Sequence, residues 1–163
     1  MRREYRAASI WYARKYPKAR IVAVEPEDGN YDVLIENVRA YPNIVPLKAA
    51  VGSEAGFVEV QSLGLGWVAQ TFRSTEGVPV LTIPDCVALV PGGRLFGVKV
   101  DIEGFERDLF AKGIEWLAET TMLAIEPHDW MLPGEFTSRN FMSAVAPHDF
   151  ELFIRGENLL FVR

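Results

Sequence analysis

The chain has 163 residues, of which 17 are Lys or Arg and 22 are Asp or Glu, giving a formal charge of −5. That length suits one domain with a real hydrophobic core, and the acidic balance argues against a phosphate backbone as main partner, which needs a basic face. With 49% hydrophobic and 24% charged residues the composition is that of a soluble globular protein and not of a disordered one. Apolar runs such as Ile21–Val24 and Met122–Ile125 are far too short to cross a bilayer.

The start, Met1-Arg2-Arg3-Glu4-Tyr5-Arg6, has no long apolar stretch behind it, so no signal peptide is expected. Cys86 is the only cysteine, which excludes an intramolecular disulfide and a multi-cysteine metal site and predicts a reducing, cytoplasmic setting. A helix is predicted over residues 4–16, with Ala7, Ile10, Trp11 and Arg14 at helical spacing and Pro17 as its stop. Arg20–Glu25 reads as a strand buried on both faces. Asp28-Gly29-Asn30 supplies capping chemistry for a helix carrying Tyr31, Leu34, Ile35, Val38 and Tyr41 and ended by Pro42. Ile44–Val51 reads as the next strand.

Helix, strand, helix, strand is the rhythm of a parallel sheet with crossover helices. Further strands are predicted at Phe57–Ser62 and Val78–Ile83, with a long exposed loop, Leu63–Gly77, between them as a candidate functional segment. Leu95–Asp101 is a strand, Glu103–Lys112 a helix stopped by Gly113, and Thr121–Glu126 a strand followed by Pro127. Ser138–Ala146 is a helix capped by Thr137 or Ser138, and Asp149–Arg155 with Asn158–Arg163 closes the chain as a hairpin around Gly156.

Glu25, Asp101 and Glu126 each end an apolar strand just before a turn. In an open parallel sheet that edge is where ligands bind. The competing reading is that each acid caps the helix that follows, where the helix dipole favours negative charge. An acid in the position of Glu25 hydrogen-bonds ribose hydroxyls in dinucleotide-type folds, about 20 residues after a glycine-rich turn. The first glycine in this chain is Gly29. The densest motif is Lys99-Val100-Asp101-Ile102-Glu103-Gly104-Phe105-Glu106, in which Gly104 allows a tight turn and Glu103 and Glu106 stand three apart.

These stretches occur in a recognisable order: Val22-Ala23-Val24-Glu25-Pro26, Asn30, Ala49-Ala50-Val51-Gly52, Lys99–Glu106 and Ala124-Ile125-Glu126-Pro127-His128. From about Ala8 to Arg163 the chain resembles the FkbM family of S-adenosylmethionine-dependent methyltransferases. The resemblance implies an α/β fold, a Rossmann-like methyltransferase three-layer sandwich with a mostly parallel sheet and a C-terminal antiparallel hairpin. It implies S-adenosylmethionine as cofactor and O-methylation of a small molecule or sugar. Glu25, Pro26, Asn30, Ala50 and Asp101 would lie along the cofactor, with Glu25 on its ribose and Ala50 bordering the adenine. The family opens with a strand and an Asp-x-Gly-x-x-x-Gly turn. Here Ala8–Pro17 matches the helix after that turn and nothing matches the strand or the glycines, so the first central strand is expected to be missing.

An alcohol acceptor needs a base near its hydroxyl, and the candidates are Asp101, Glu103, Glu126 and His128. His128 titrates near neutrality when unperturbed, though a surface histidine after a turn reads equally well; His148, at a helix end, reads as structural. No spacing singles out a metal site among the acids, and Cys86 reads as a small buried hydrophobe. A second function class stands beside the enzyme: a non-catalytic remnant that acts by binding a partner or ligand, with an exposed strand edge favouring homo-oligomers. A nucleotide-sugar binding domain using the same acids on ribose is a third. A nucleic-acid target is disfavoured by charge.

Overall fold

The computed structural model describes residues 5–62 and 69–163. Helix α1 (Tyr5–Lys15) leads into strand β1 (Ile21–Val24), helix α2 (Asp28–Val38) and strand β2 (Ile44–Leu47). β1 and β2 pair in parallel, Ile21 opposite Ile44 through Val24 opposite Leu47. This unit has its own core, in which Ala13, Ala23, Val38 and Ile44 are buried with Ile10, Ile21, Leu34 and Tyr41 packed against them. α2 is capped by Glu27, one residue before the Asp28–Asn30 segment: its Oε2 accepts the Asn30 N–H at 2.6 Å.

The predicted strand over residues 44–51 is two strands. After β2 the chain breaks at Lys48-Ala49, and β3 (Ala50–Val51) joins a second sheet with β4 (Gly56–Ser62), β5 (Ala69–Ser74) and β6 (Val78–Leu81), in the order β3-β6-β4-β5. β5 lies in what reads from sequence as a loop. Its backbone is claimed by β4, antiparallel from Phe57–Ser74 to Ser62–Ala69, a long-range pairing that overrides weak local strand propensity. The rest of the predicted loop's core, with Gly64, Gly66 and Trp67, lies outside the described residues. Helix α3 (Ile83–Ala88) follows β6 directly, started by a capping box between Thr82 and Asp85 with proline in the first turn.

The third sheet, in the order β7-β8-β10-β9, holds the largest core. It comprises β7 (Gly97–Val100), β8 (Met122–Ile125), β9 (Glu151–Arg155) and β10 (Asn158–Val162). Between β7 and β8 come the short helix α4 (Glu106–Leu109) and a 3-10 turn (Glu115–Glu119); α5 (Ser138–Val145) precedes β9. Leu109, Leu117, Leu123, Ile125 and Phe141 are nearly or fully buried here. Phe141 packs between Phe110, tilted at 60°, and Phe161, edge-on at 79°, at centroid distances of 5.3 and 5.4 Å.

The mostly parallel three-layer sandwich expected from the resemblance is therefore corrected. Three pairings are parallel (β1–β2, β3–β6, β7–β8) and four antiparallel (β4–β5, β4–β6, β8–β10, β9–β10). The strands divide among one two-stranded and two four-stranded sheets. The reason lies in the connections. Parallel strands need a long crossover, whereas β4–β5 and β9–β10 follow each other closely and return antiparallel. The missing central strand of the expectation presupposed one continuous sheet; β1 and β7 lie in different sheets, with no ladder between them among the described residues. The predicted helix over residues 103–112 is also shorter. Glu103 and Gly104 take positive φ, 50° and 98°, a left-handed turn that postpones the helix to Glu106.

Candidate functional site

The parallel ladder of β7 and β8 sets the site. Val100 lies opposite Ile125 and the Glu126 N–H still donates to the Val100 carbonyl at 3.1 Å. The next residues out, Asp101 and Glu126, therefore leave the same end of the sheet side by side. Two residues beyond Glu126, His128 turns inward and is only 3% exposed. Its loop is held by backbone bonds from Met131 N–H to the His128 carbonyl (3.0 Å) and from Leu132 N–H to the Asp129 carbonyl (3.2 Å). Asp129 Oδ1 in turn accepts from the Thr137 hydroxyl and the Ser138 N–H, both at 3.3 Å. It, and not Thr137 or Ser138, provides the side-chain cap of α5.

The left-handed turn at Glu103-Gly104 folds the chain back so that Glu106 comes underneath His128. Glu106 is 1% exposed, and its Oε1 lies 2.7 Å from His128 Nδ1. An alanine at Gly104 would bring its Cβ within 2.5 Å of Leu132 Cδ1, so the tip of that side chain would have to shift, and it would strain a backbone held at φ 98°. With Nδ1 engaged by Glu106, Nε2 is aimed at the sheet edge. It stands 3.6 Å from Asp101 Oδ1 and 4.0 Å from Glu126 Oε1. Asp101 also pairs with Lys99 Nζ at 2.9 Å.

Burial alone would lower the His128 pKa. The hydrogen bond and charge of Glu106, with Asp101 and Glu126 behind them, outweigh it, and the net shift is upward. Glu126 is raised by its own burial and by the Asp101 charge, against the pull of Lys99 and His128. The cluster is thus a set of desolvated acids sharing one imidazole.

Glu25 is built differently. It follows β1, and its Oε1 accepts the Glu27 N–H at 3.0 Å. Burial pushes its pKa up to about 7; the Glu27 backbone bond and the Asn30 side chain oppose the shift, and the charges of Glu27 and Glu103 add to it. Glu103 therefore reaches Glu25 through its charge, after the nearer Glu27. Pro26 separates Glu25 from the Glu27 cap. Ala50 is 4% exposed and packs in a core with Val58, Val80 and Phe105.

An open cleft of about 630 Å³ adjoins the turn, with Glu103, Gly104 and Arg107 on one wall and Leu132, Thr137 and Asn140 on another. Trp130 is 72% exposed. Cys86 is buried, and burial pushes its thiol up to about 11, which keeps it protonated and unreactive. His148 lies edge-on to Phe150, with ring centroids 6.0 Å apart.

Of the residues singled out from sequence, Asp101, Glu126 and His128 converge, while Glu25 sits at the end of a different sheet. Two partners escaped that reading. Glu106 was legible only as one of a pair of acids three apart, and its burial depends on the positive φ at Glu103. The other is Asp108. Its carboxylate takes Arg73 in a fork, Nε at 2.8 Å and Nη2 at 2.6 Å, and also the Ser53 N–H at 3.0 Å. That fork ties the second sheet to α4. The chain matches no family model, no curated protein and no solved structure.

Proposed function

We propose that this chain is an S-adenosylmethionine-dependent methyltransferase of the FkbM type acting on a hydroxyl of a small molecule or sugar. The ordered motifs support the cofactor. The observation that supports the chemistry is the convergence of Asp101, Glu126 and His128 Nε2, with His128 fixed from behind by Glu106. The donor set fits a ribose at one point. Glu25 offers a desolvated carboxyl, oriented by the Glu27 N–H and the Asn30 side chain, which is the acceptor a pair of ribose hydroxyls needs. Bound there, the cofactor would supply an electrophilic methyl group.

The chain's own residues hold the acceptor. Asp101, Glu126 and Nε2 are placed to hold an acceptor hydroxyl and to take its proton into the carboxylate–imidazole cluster. The raised pKa of Glu126 makes it a better base than an ordinary carboxylate. Glu106 holds the imidazole in place, and Leu132 with its loop covers the turn. Pre-set geometry of this kind lowers the entropic part of the barrier.

The test is calorimetric titration of the protein with S-adenosylmethionine. Binding on the order of micromolar is expected, with Glu25→Ala at least about tenfold weaker through loss of a hydrogen-bonding carboxylate. Absence of binding by the wild-type chain overturns the reading in favour of a non-catalytic domain that works by partner binding.

A further inference from the structure

We infer that Asp101, Glu126 and His128 form a binding site for one divalent cation. The inference rests on the proposed function only in what the ion would do; the site itself is independent of it. One ligand atom from each residue lies within 4.8 Å of the other two. Neighbouring ligands about 2.1 Å from a common centre stand roughly 3.0 Å apart in octahedral and roughly 3.4 Å apart in tetrahedral geometry. The 3.6 Å and 4.0 Å separations from Nε2 to the two carboxylates are a few tenths of an ångström to about 1 Å wider than the roughly 3.0–3.4 Å between neighbouring ligands, so small side-chain movements close the three groups on one ion. Both are too long for good hydrogen bonds, so the imidazole faces each carboxylate without closing on it.

A second observation, separate from the two carboxylate ligands, points the same way. His128 is buried, and its far nitrogen is engaged by a buried carboxylate, Glu106, at 2.7 Å. This is the carboxylate–histidine arrangement that fixes the tautomer and orientation of a metal-bound imidazole. Glu106 Oε2 is buried and has no hydrogen-bond partner among the described residues, so the protein meets a desolvation cost to keep a carboxylate behind the ring.

Two carboxylates and one imidazole make a mixed oxygen–nitrogen set that suits Mn²⁺ or Zn²⁺ better than Ca²⁺. Lys99, 2.9 Å from Asp101 Oδ2, sits on the oxygen other than the one facing His128 and need not leave. An ion held by three protein ligands keeps open positions for water or substrate. Such an ion would bind an acceptor bearing a hydroxyl next to a second oxygen, in the manner of a chelate, and would draw off its proton through the ion's charge. The substrate class is thus narrowed from any alcohol to one with two neighbouring oxygens.

The experiment is titration of the chelator-treated protein with Mn²⁺, read by loss of the free-ion electron paramagnetic resonance signal with no cofactor present. One ion per chain is expected. Glu126→Gln, which preserves size, should weaken binding by about tenfold or more, and Glu106→Gln by about ten- to a hundredfold through the imidazole it orients. Glu135→Gln, an exposed acid paired with Arg107, should bind as the wild type does. Circular dichroism melts confirm that each variant is folded; should Glu106→Gln fail to fold, the Glu126→Gln and Glu135→Gln pair decides. Failure of the wild type to take up Mn²⁺ at about millimolar free ion, or equal binding by Glu126→Gln, overturns the site. Neither outcome touches the S-adenosylmethionine titration, so the two proposals fail separately.

Discussion

Two strand ends carry nearly the same sequence, Val-Glu-Pro at residues 24–26 and Ile-Glu-Pro at 125–127, and the fold treats them differently. At the end of β8 the acid joins Asp101, His128 and Glu106 in a cluster with an imidazole at its centre. At the end of β1 the acid has backbone and amide partners and no counter-cation among the described residues, and burial pushes it up to about 7. The difference comes from the neighbours. β8 runs beside β7, whose own terminal acid and following turn bring in Asp101 and Glu106, whereas β1 pairs with β2, after which Lys48 turns to Asp28 at 2.6 Å and not to Glu25. An acid at a strand end is therefore worth what the adjacent strand delivers to it.

The largest effect should come from removing the group that completes the richer end. Glu106→Ala leaves His128 buried beside Asp101 and Glu126 with its Nδ1 unpaired. Breaking a buried charged pair by deleting one partner costs about 3–5 kcal/mol, and urea denaturation at neutral pH should show a loss of that order. A loss under about 1 kcal/mol, the range of exposed pairs, would mean that the two ends are alike.

The poorer end should reveal itself through pH. Folded Glu25 keeps its proton up to about pH 7, while the same carboxyl in the unfolded chain releases it near about 4.3. Between those values the folded state binds more protons. Stability from this group is therefore fully present below the lower value, falls as pH rises toward 7, and is flat above it. Glu25→Gln removes that slope and should stabilise the protein by on the order of 2 kcal/mol at about pH 8, with no gain at about pH 4. Stability curves of the two proteins over that range check it, and parallel curves would sink it.

How far this was legible in sequence follows from the range of the interactions involved. The β-α-β start, the strands that set Asp101 beside Glu126, helix α5 and the closing hairpin all follow from local patterning. So, in retrospect, does α3, since Thr82-x-x-Asp85 with Pro84 is a complete helix-start signal. The sheet organisation was not legible. Residues 44–51 are continuous in pattern and divided in space, because β2 and β3 answer to different partners, β1 and β6. The partners of His128 were half legible. Register places Asp101 and Glu126, but the burial of Glu106 depends on a non-glycine residue, Glu103, adopting a left-handed backbone that no propensity favours.

Asp108, on α4, tests whether burial or partner count sets the size of these effects. Its carboxylate has more partners than Glu106, the forked Arg73 and both the N–H and hydroxyl of Ser53. Its side chain is nevertheless 23% exposed and that of Arg73 31%. Burial pushes the Asp108 pKa up, and the Arg73 hydrogen bond, the Ser53 N–H and the Arg73 charge overcome it, leaving it below the usual carboxylate range. Asp108→Asn keeps the shape and loses the charge, so the Arg73 fork weakens while water remains able to solvate both groups. The expected loss is about 1 kcal/mol, well below that of Glu106→Ala despite the larger number of bonds, and it should shrink at high salt because the pair is partly open. Urea denaturation of Asp108→Asn in low and high salt reads both. A loss equal to that of Glu106→Ala would show that bond count, and not burial, governs the polar groups of this fold.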